Sequence, residues 1–90
     1  MVADLDTNRL QQIGSTFPAI RLTTDYREIL TSDEIDAVVI ATPVSTHYRI
    51  GRDALMAGKH VMIEKPLTNN SSDAQNLVEL ANGLDLRLMV

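Results

Sequence analysis

The sequence contains no cysteine and no tryptophan, and aromatic residues make up only 3% of it. Without cysteine there is no disulfide scaffold, no thiolate metal centre and no cysteine nucleophile. Two histidines, His47 and His60, are too few to argue for a zinc site. Basic residues number 8 against 12 acidic ones, a formal net charge of −4, so the basic stripe expected of a nucleic-acid binder is missing. No apolar run approaches the roughly 18–20 residues of a membrane span, so no membrane partner is expected. The stretch from Met1 to Leu10 has neither the basic start nor the apolar middle of a signal peptide, and the expected location is cytoplasmic. The four glycines, Gly14, Gly51, Gly58 and Gly83, stand apart, and no glycine-rich phosphate turn is spelled among them.

What the 90 residues do contain is aliphatic: 44% are hydrophobic, enough for one small domain with a core of Val, Ile, Leu, Met and Ala. Met56, Met62 and Met89 read as core fillers rather than as a metal box. Val2-Ala3-Asp4 reads as the end of a strand, and Asp6 as the N-cap of a helix over Thr7–Ser15 with Leu10 and Ile13 facing inward. Ile20–Leu22 is a weak second strand, followed by a short helix capped by Thr24 or Asp25. The run Ala37-Val38-Val39-Ile40 predicts a strand buried on both faces, as in parallel sheets. After the Thr42-Pro43 turn a helix runs to about Ala57, with Ile50, Ala54 and Leu55 as its inner stripe and Gly58 as a left-handed C-cap. His60–Ile63 is the next strand, ended by Pro66. The Asn69–Ser72 loop caps a helix over about Asp73–Asn82, whose inner face is Ala74, Leu77, Val78 and Ala81. Asn69 and Asn70 both match glycosylation acceptors, but a helix-capping loop explains them more simply. Leu86–Val90 is the last strand. Alternating strands and helices predict an α/β fold with a parallel, doubly wound sheet.

Three places carry candidate chemistry. In open α/β sheets ligands bind outside the carboxyl ends of the strands. The strand His60–Ile63 ends in Glu64-Lys65-Pro66, which puts an acid and a base on that edge. A lysine there can hold a substrate hydroxyl or exchange a proton, and a cis bond before Pro66 is possible. Taken alone, Glu64 and Lys65 are more simply a solvated charge pair. The strand Ala37–Ile40 ends in Ala41-Thr42-Pro43, with Ser45, Thr46 and His47 opening the next helix. Small and hydroxyl residues let a cofactor approach the backbone there, and open helix N–H groups favour an anion. The plainer reading is a proline turn with a Ser/Thr cap and, at His47, a first-turn surface histidine. Asp4, ending the first strand, is placed to bind the two hydroxyls of an adenine ribose.

Taken in order and at their spacing, Ala41-Thr42-Pro43, His47, Ala57-Gly58-Lys59-His60-Val61 and Glu64-Lys65-Pro66 resemble the Gfo/Idh/MocA oxidoreductases over nearly the whole chain, from Val2 to Val90. The resemblance implies an N-terminal Rossmann domain binding NAD or NADP, and a separate C-terminal substrate domain. It implies hydride transfer between nicotinamide and a secondary hydroxyl of a small-molecule sugar, cyclitol or nucleotide sugar, in a protein that can form homo-oligomers. Lys65 matches the lysine that contacts the substrate hydroxyl and assists proton transfer, with Glu64 and Pro66 completing that motif beside the nicotinamide ribose. Ala41, Thr42, Pro43 and His47 match the turn lining the dinucleotide. Asp4 matches the acid that holds the adenine ribose and repels the 2′-phosphate of NADP, which favours NAD; Arg9 nearby is a residue type that accommodates that phosphate.

The sequence departs from this pattern at both ends. The family's first strand and its G-x-G-x-x-G turn have no counterpart here, and the later substrate domain is absent. The expectation is therefore a partial Rossmann domain, truncated at both ends and starting at the second strand, inactive by itself. In the 3-2-1-4-5-6 strand order the first strand lies between the second and fourth, so its absence leaves ladder groups and apolar faces uncovered. The isolated chain is then expected to be unstable, rearranged or dependent on a partner. The competing readings are a stand-alone nucleotide-binding or interaction module without catalysis, and a non-functional remnant.

Overall fold

The computed structural model describes residues 1–90, which divide into two compact units, Met1–Asp33 and Glu34–Val90. In the first unit a short strand β1 (Val2–Ala3) leads into helix α1 (Thr7–Thr16), strand β2 (Leu22–Thr23) and a single-turn helix α2 (Arg27–Leu30). β1 and β2 pair in parallel, Val2 with Leu22 and Ala3 with Thr23. As its sequence position suggests, Asp6 caps α1, its carboxylate accepting from the backbone N–H of Asn8 and Arg9. Leu10 is the buried residue of that helix and Ile13 is half-buried. The second strand falls at Leu22–Thr23 rather than Ile20–Leu22, because Ile20 is used in the preceding turn, its N–H donating to Phe17 O at 3.1 Å. Asp25 Oδ1 receives both the backbone N–H and the Nε–H of Arg27, each at 3.0 Å. That side-chain bond, then the backbone one, holds the Asp25 carboxyl below its usual value.

The second unit contains strand β3 (Ala37–Ile40), a 3-10 turn over Val44–Thr46, helix α3 (His47–Met56), strand β4 (His60–Ile63), helix α4 (Ser71–Gly83) and strand β5 (Leu88–Met89). The three strands form one parallel sheet in the order β3-β4-β5. β1–β2 and β3–β4–β5 are thus separate parallel sheets rather than one.

The core of the second unit lies on one face of its sheet. Val61, Ile40 and Ile63 point to the side on which α3 and α4 pack, against Ala54, Leu55, Leu77 and Ala81. The expectation that β3 is buried on both faces is wrong. Val39, Met62 and Met89 sit in register across the three strands and are 70%, 41% and 56% exposed. Both helices of this unit cover the opposite face, so alternation along the strands sends these three side chains outward. The expectation of methionine core fillers fails for the same reason at Met62 and Met89, and Met56 is exposed on the last turn of α3.

The inner stripe of α3 is His47, Gly51, Ala54 and Leu55, with Ile50 only half-buried. A Cβ on Gly51 would meet Ile63 Cδ1 at 3.1 Å, so the glycine lets the helix lie close on β4. Gly58 has φ +81 and ends α3 as expected. No atom lies within 4 Å of its Cβ position, so Gly58→Ala is a purely backbone change. It is expected to lower unfolding free energy by roughly 1 kcal/mol in a denaturant titration.

Asn70 is the N-cap of α4, its side-chain oxygen accepting from Asp73 N at 2.8 Å. Asn70→Ala should cost about 1 kcal/mol in the same measurement, with the helical signal fraying from the α4 start. α4 buries Leu77 and Ala81, whereas Val78, expected on the inner face, is 44% exposed. The helix packs along a narrow i, i+4 line, and a residue one position beyond Leu77 turns about 100° away from it.

Candidate cofactor and catalytic site

The carboxyl ends of β3 and β4 lie side by side, because the two strands pair from Ala37–His60 through Ile40–Ile63. One further ladder bond, Glu64 N to Ile40 O at 3.0 Å, carries the pairing just past both strands. Beyond it each chain turns away through a proline. On the β3 side this turn is Ala41-Thr42-Pro43, all three residues exposed. On the β4 side it is Glu64-Lys65-Pro66, also exposed, with a cis peptide between Lys65 and Pro66. Met62, Glu64, Lys65 and Val90, with the β4 end at Ile63, line an open hollow of about 490 Å³. The lining combines apolar Met62 and Val90 with charged Glu64 and Lys65.

The Thr42 turn has a defined hydrogen-bond polarity. Thr46 Oγ1 donates to Pro43 O at 2.6 Å, which uses its one proton. The 2.7 Å contact between the Thr42 and Thr46 hydroxyls is therefore donated by Thr42. Thr42 Oγ1 is left with lone pairs, so it can accept from a ligand N–H or O–H but has no proton for an anion. The expected Ser/Thr side-chain cap before α3 is not formed, since the hydroxyls bond to each other and to Pro43.

His47 is not the surface histidine that its isolated position suggests. It is 2% exposed, with Nε2 2.7 Å from Thr42 O and Nδ1 2.9 Å from Pro66 O. The helix start places it over the strand ends, where two carbonyls have no backbone donor. The two motifs picked out in the sequence, Ala41–His47 and Glu64–Pro66, are thereby joined through this side chain.

Asp4 belongs to the first unit. Its backbone N–H donates to Thr23 O at 3.1 Å, which seats it at the carboxyl end of β1. Asp4 Oδ1 accepts from Asp6 N at 2.9 Å, orienting the carboxylate. Arg9 is drawn to Asp6, with Nε 3.7 Å from Oδ2, and both side chains are well exposed. Sequence reasoning missed Met62 and Val90 as lining residues. Strand alternation carried the signal for Met62, which lies two residues before Glu64 and on the same face.

Residues 1–90 match the Gfo/Idh/MocA oxidoreductase family, NAD-binding Rossmann fold, along their whole length. The chain belongs to this family. It is 35% identical over 88 residues to dTDP-3,4-didehydro-2,6-dideoxy-alpha-D-glucose 3-reductase of Streptomyces antibioticus, covering 98% of this chain and 26% of that protein. It is also similar to inositol 2-dehydrogenase of Rhodococcus erythropolis, 33% identical over 89 residues, covering 99% of this chain and 26% of the relative. Among solved structures it superposes on the 3-ketoreductase KijD10 of Actinomadura kijaniata, in complex with TDP-benzene and NADP, with a TM-score of 0.85. That match is 33% identical and covers 97% of this chain and 27% of that one. The chain thus spans about a quarter of the length of the relatives it matches. As a Gfo/Idh/MocA chain it has the parallel α/β Rossmann architecture that its element order led us to expect.

Proposed function

We propose that these 90 residues form the part of a sugar-type oxidoreductase that receives the nicotinamide end and the adenine ribose of NAD(P). The observation that carries this reading is the juxtaposition of the Thr42 turn and the Lys65 turn on one sheet edge, beside an open hollow lined by apolar and charged side chains. The donors are read unit by unit, Asp4 in the first and the Thr42 and Lys65 turns in the second. Backbone and hydroxyl groups at Ala41, Thr42 and Pro43 suit a carboxamide and ribose, and the Asp4 carboxylate suits a vicinal diol. The pyrophosphate has no glycine-rich cradle among these residues.

Bound nicotinamide would supply the hydride acceptor or donor. Lys65 would hold the substrate hydroxyl and exchange its proton through Nζ. Glu64 and Pro66 would set the backbone from which that lysine reaches, and Asp4 would favour NAD over NADP by charge repulsion with a 2′-phosphate. The substrate class is a secondary hydroxyl or ketone of a sugar, cyclitol or nucleotide sugar. Support comes from the family and from relatives named as a dTDP-sugar 3-reductase and an inositol dehydrogenase.

The competing reading, a nucleotide-binding module without catalysis, is separated by titrating NADH fluorescence against the 90-residue chain. Weak binding is expected, since a major anion contact is missing. Tight binding by the chain alone would overturn the enzyme-part reading in favour of the module.

A further inference from the structure

Past the Glu64–Ile40 ladder bond, the chains leaving β3 and β4 meet Pro43 and Pro66, which carry no N–H and cannot extend the pairing. Two carbonyls at this point, Thr42 O and Pro66 O, need a donor from elsewhere. The His47 ring stands between them, one nitrogen 2.7 Å from Thr42 O and the other 2.9 Å from Pro66 O, and the tautomer decides which of the two contacts is the donated hydrogen bond. Its place is fixed from below, since Gly51, Ala54 and Leu55 on the same face of α3 are all buried.

A buried histidine bonded to backbone is commonly a satisfied core residue and nothing more. What distinguishes this one is what it links: the two turns that carry the candidate site. The links span 5 residues on one side and 19 on the other. We infer that His47 is a positioning residue that holds the Lys65 turn at a set separation from the Thr42 turn and does not itself touch the cofactor. The ring is a rigid spacer with a nitrogen on each side, so packing of α3 on β4 is passed directly to the height of Lys65 above the sheet edge. This inference rests on the proposed function only for the use made of Lys65; the tie itself is a property of the unliganded chain.

The test is NMR on an isotope-labelled oxidoreductase containing this chain, without cofactor, so its outcome does not depend on whether NAD(P) binds. In the unaltered chain a His47 ring N–H is expected to exchange slowly with solvent. His47→Asn places an amide near the Nδ1 position. It should keep the Lys65 and Leu67 amide shifts near their original values while moving those of Thr42 and Val44. His47→Gln, reaching the Nε2 position, should do the reverse. His47→Ala should move both sets, with α4 and β5 retaining their exchange protection. If the alanine variant does not fold, the amide variants and the unaltered chain decide. Rapid ring N–H exchange in the unaltered chain would overturn the inference. So would unmoved Lys65 and Leu67 signals in the variants that fold, or a loss of protection spread evenly over the unit.

Discussion

Lys65→Ala in an oxidoreductase containing this chain is expected to lower turnover by about 10²–10⁴-fold, the usual contribution of a positioned general acid or base. Lys65 stands two residues past the end of β4 and lines the hollow together with Met62, Glu64 and Val90. Its ammonium sits on a flexible four-carbon stem, and on the proposed function it meets a substrate hydroxyl next to the nicotinamide ring. On the proposed function, removing the amine takes away the proton carrier and one hydrogen bond to the reacting oxygen. It leaves untouched the backbone and hydroxyl groups of the Thr42 turn. Cofactor affinity should therefore change much less than turnover, which separate measurements of cofactor Kd and kcat will show. Lys65→Arg should rescue binding better than rate, because a guanidinium does not give up its proton in this pH range. Near-normal turnover in Lys65→Ala would remove Lys65 from the mechanism.

Asp4→Asn is expected to shift cofactor preference away from NAD and towards NADP by about ten- to a hundredfold. That range corresponds to the loss of charge-assisted hydrogen bonds worth roughly 1.5–3 kcal/mol. The carboxylate is oriented by Asp6 N and seated by the bond from its own backbone N–H to Thr23 O. Asparagine keeps the shape and can still accept from Asp6 N, so the change isolates the charge. With the charge gone, repulsion of a 2′-phosphate disappears, and Arg9 is the nearest chain neighbour of the cap that could meet it. The ratio of kcat/KM for NAD and NADP reports the shift. An unchanged ratio would mean that another residue reads the ribose.

Much of this was legible in residue order. The bounds of β3 and β4, the Asp6 and Asn70 caps and the Gly58 stop all follow from local rules of periodicity, capping and backbone freedom, and local rules are written in contiguous residues. That Ala41-Thr42-Pro43 and Glu64-Lys65-Pro66 each follow a strand end was legible too, and the structure seats them there. Which face of a strand is covered was not legible. Val39 and Ile40 are equally apolar neighbours, yet one is 70% exposed and the other 4%, and only the placement of α3 and α4 separates them.

His47 shows the same division most clearly. Its position in the first turn of a helix follows from the sequence, and a first-turn histidine is ordinarily solvated. Its burial depends on Pro66 O, 19 residues away, arriving opposite Thr42 O. The sequence by itself determined the alternation of strands and helices, the ends of the elements and the residue types offered at the sheet edge, since these are set by neighbours along the chain. The tertiary structure alone decided which face of β3–β4–β5 the helices α3 and α4 cover, and that a single imidazole joins the two candidate motifs. Each of those depends on contacts between residues far apart in sequence, and no local pattern encodes such contacts.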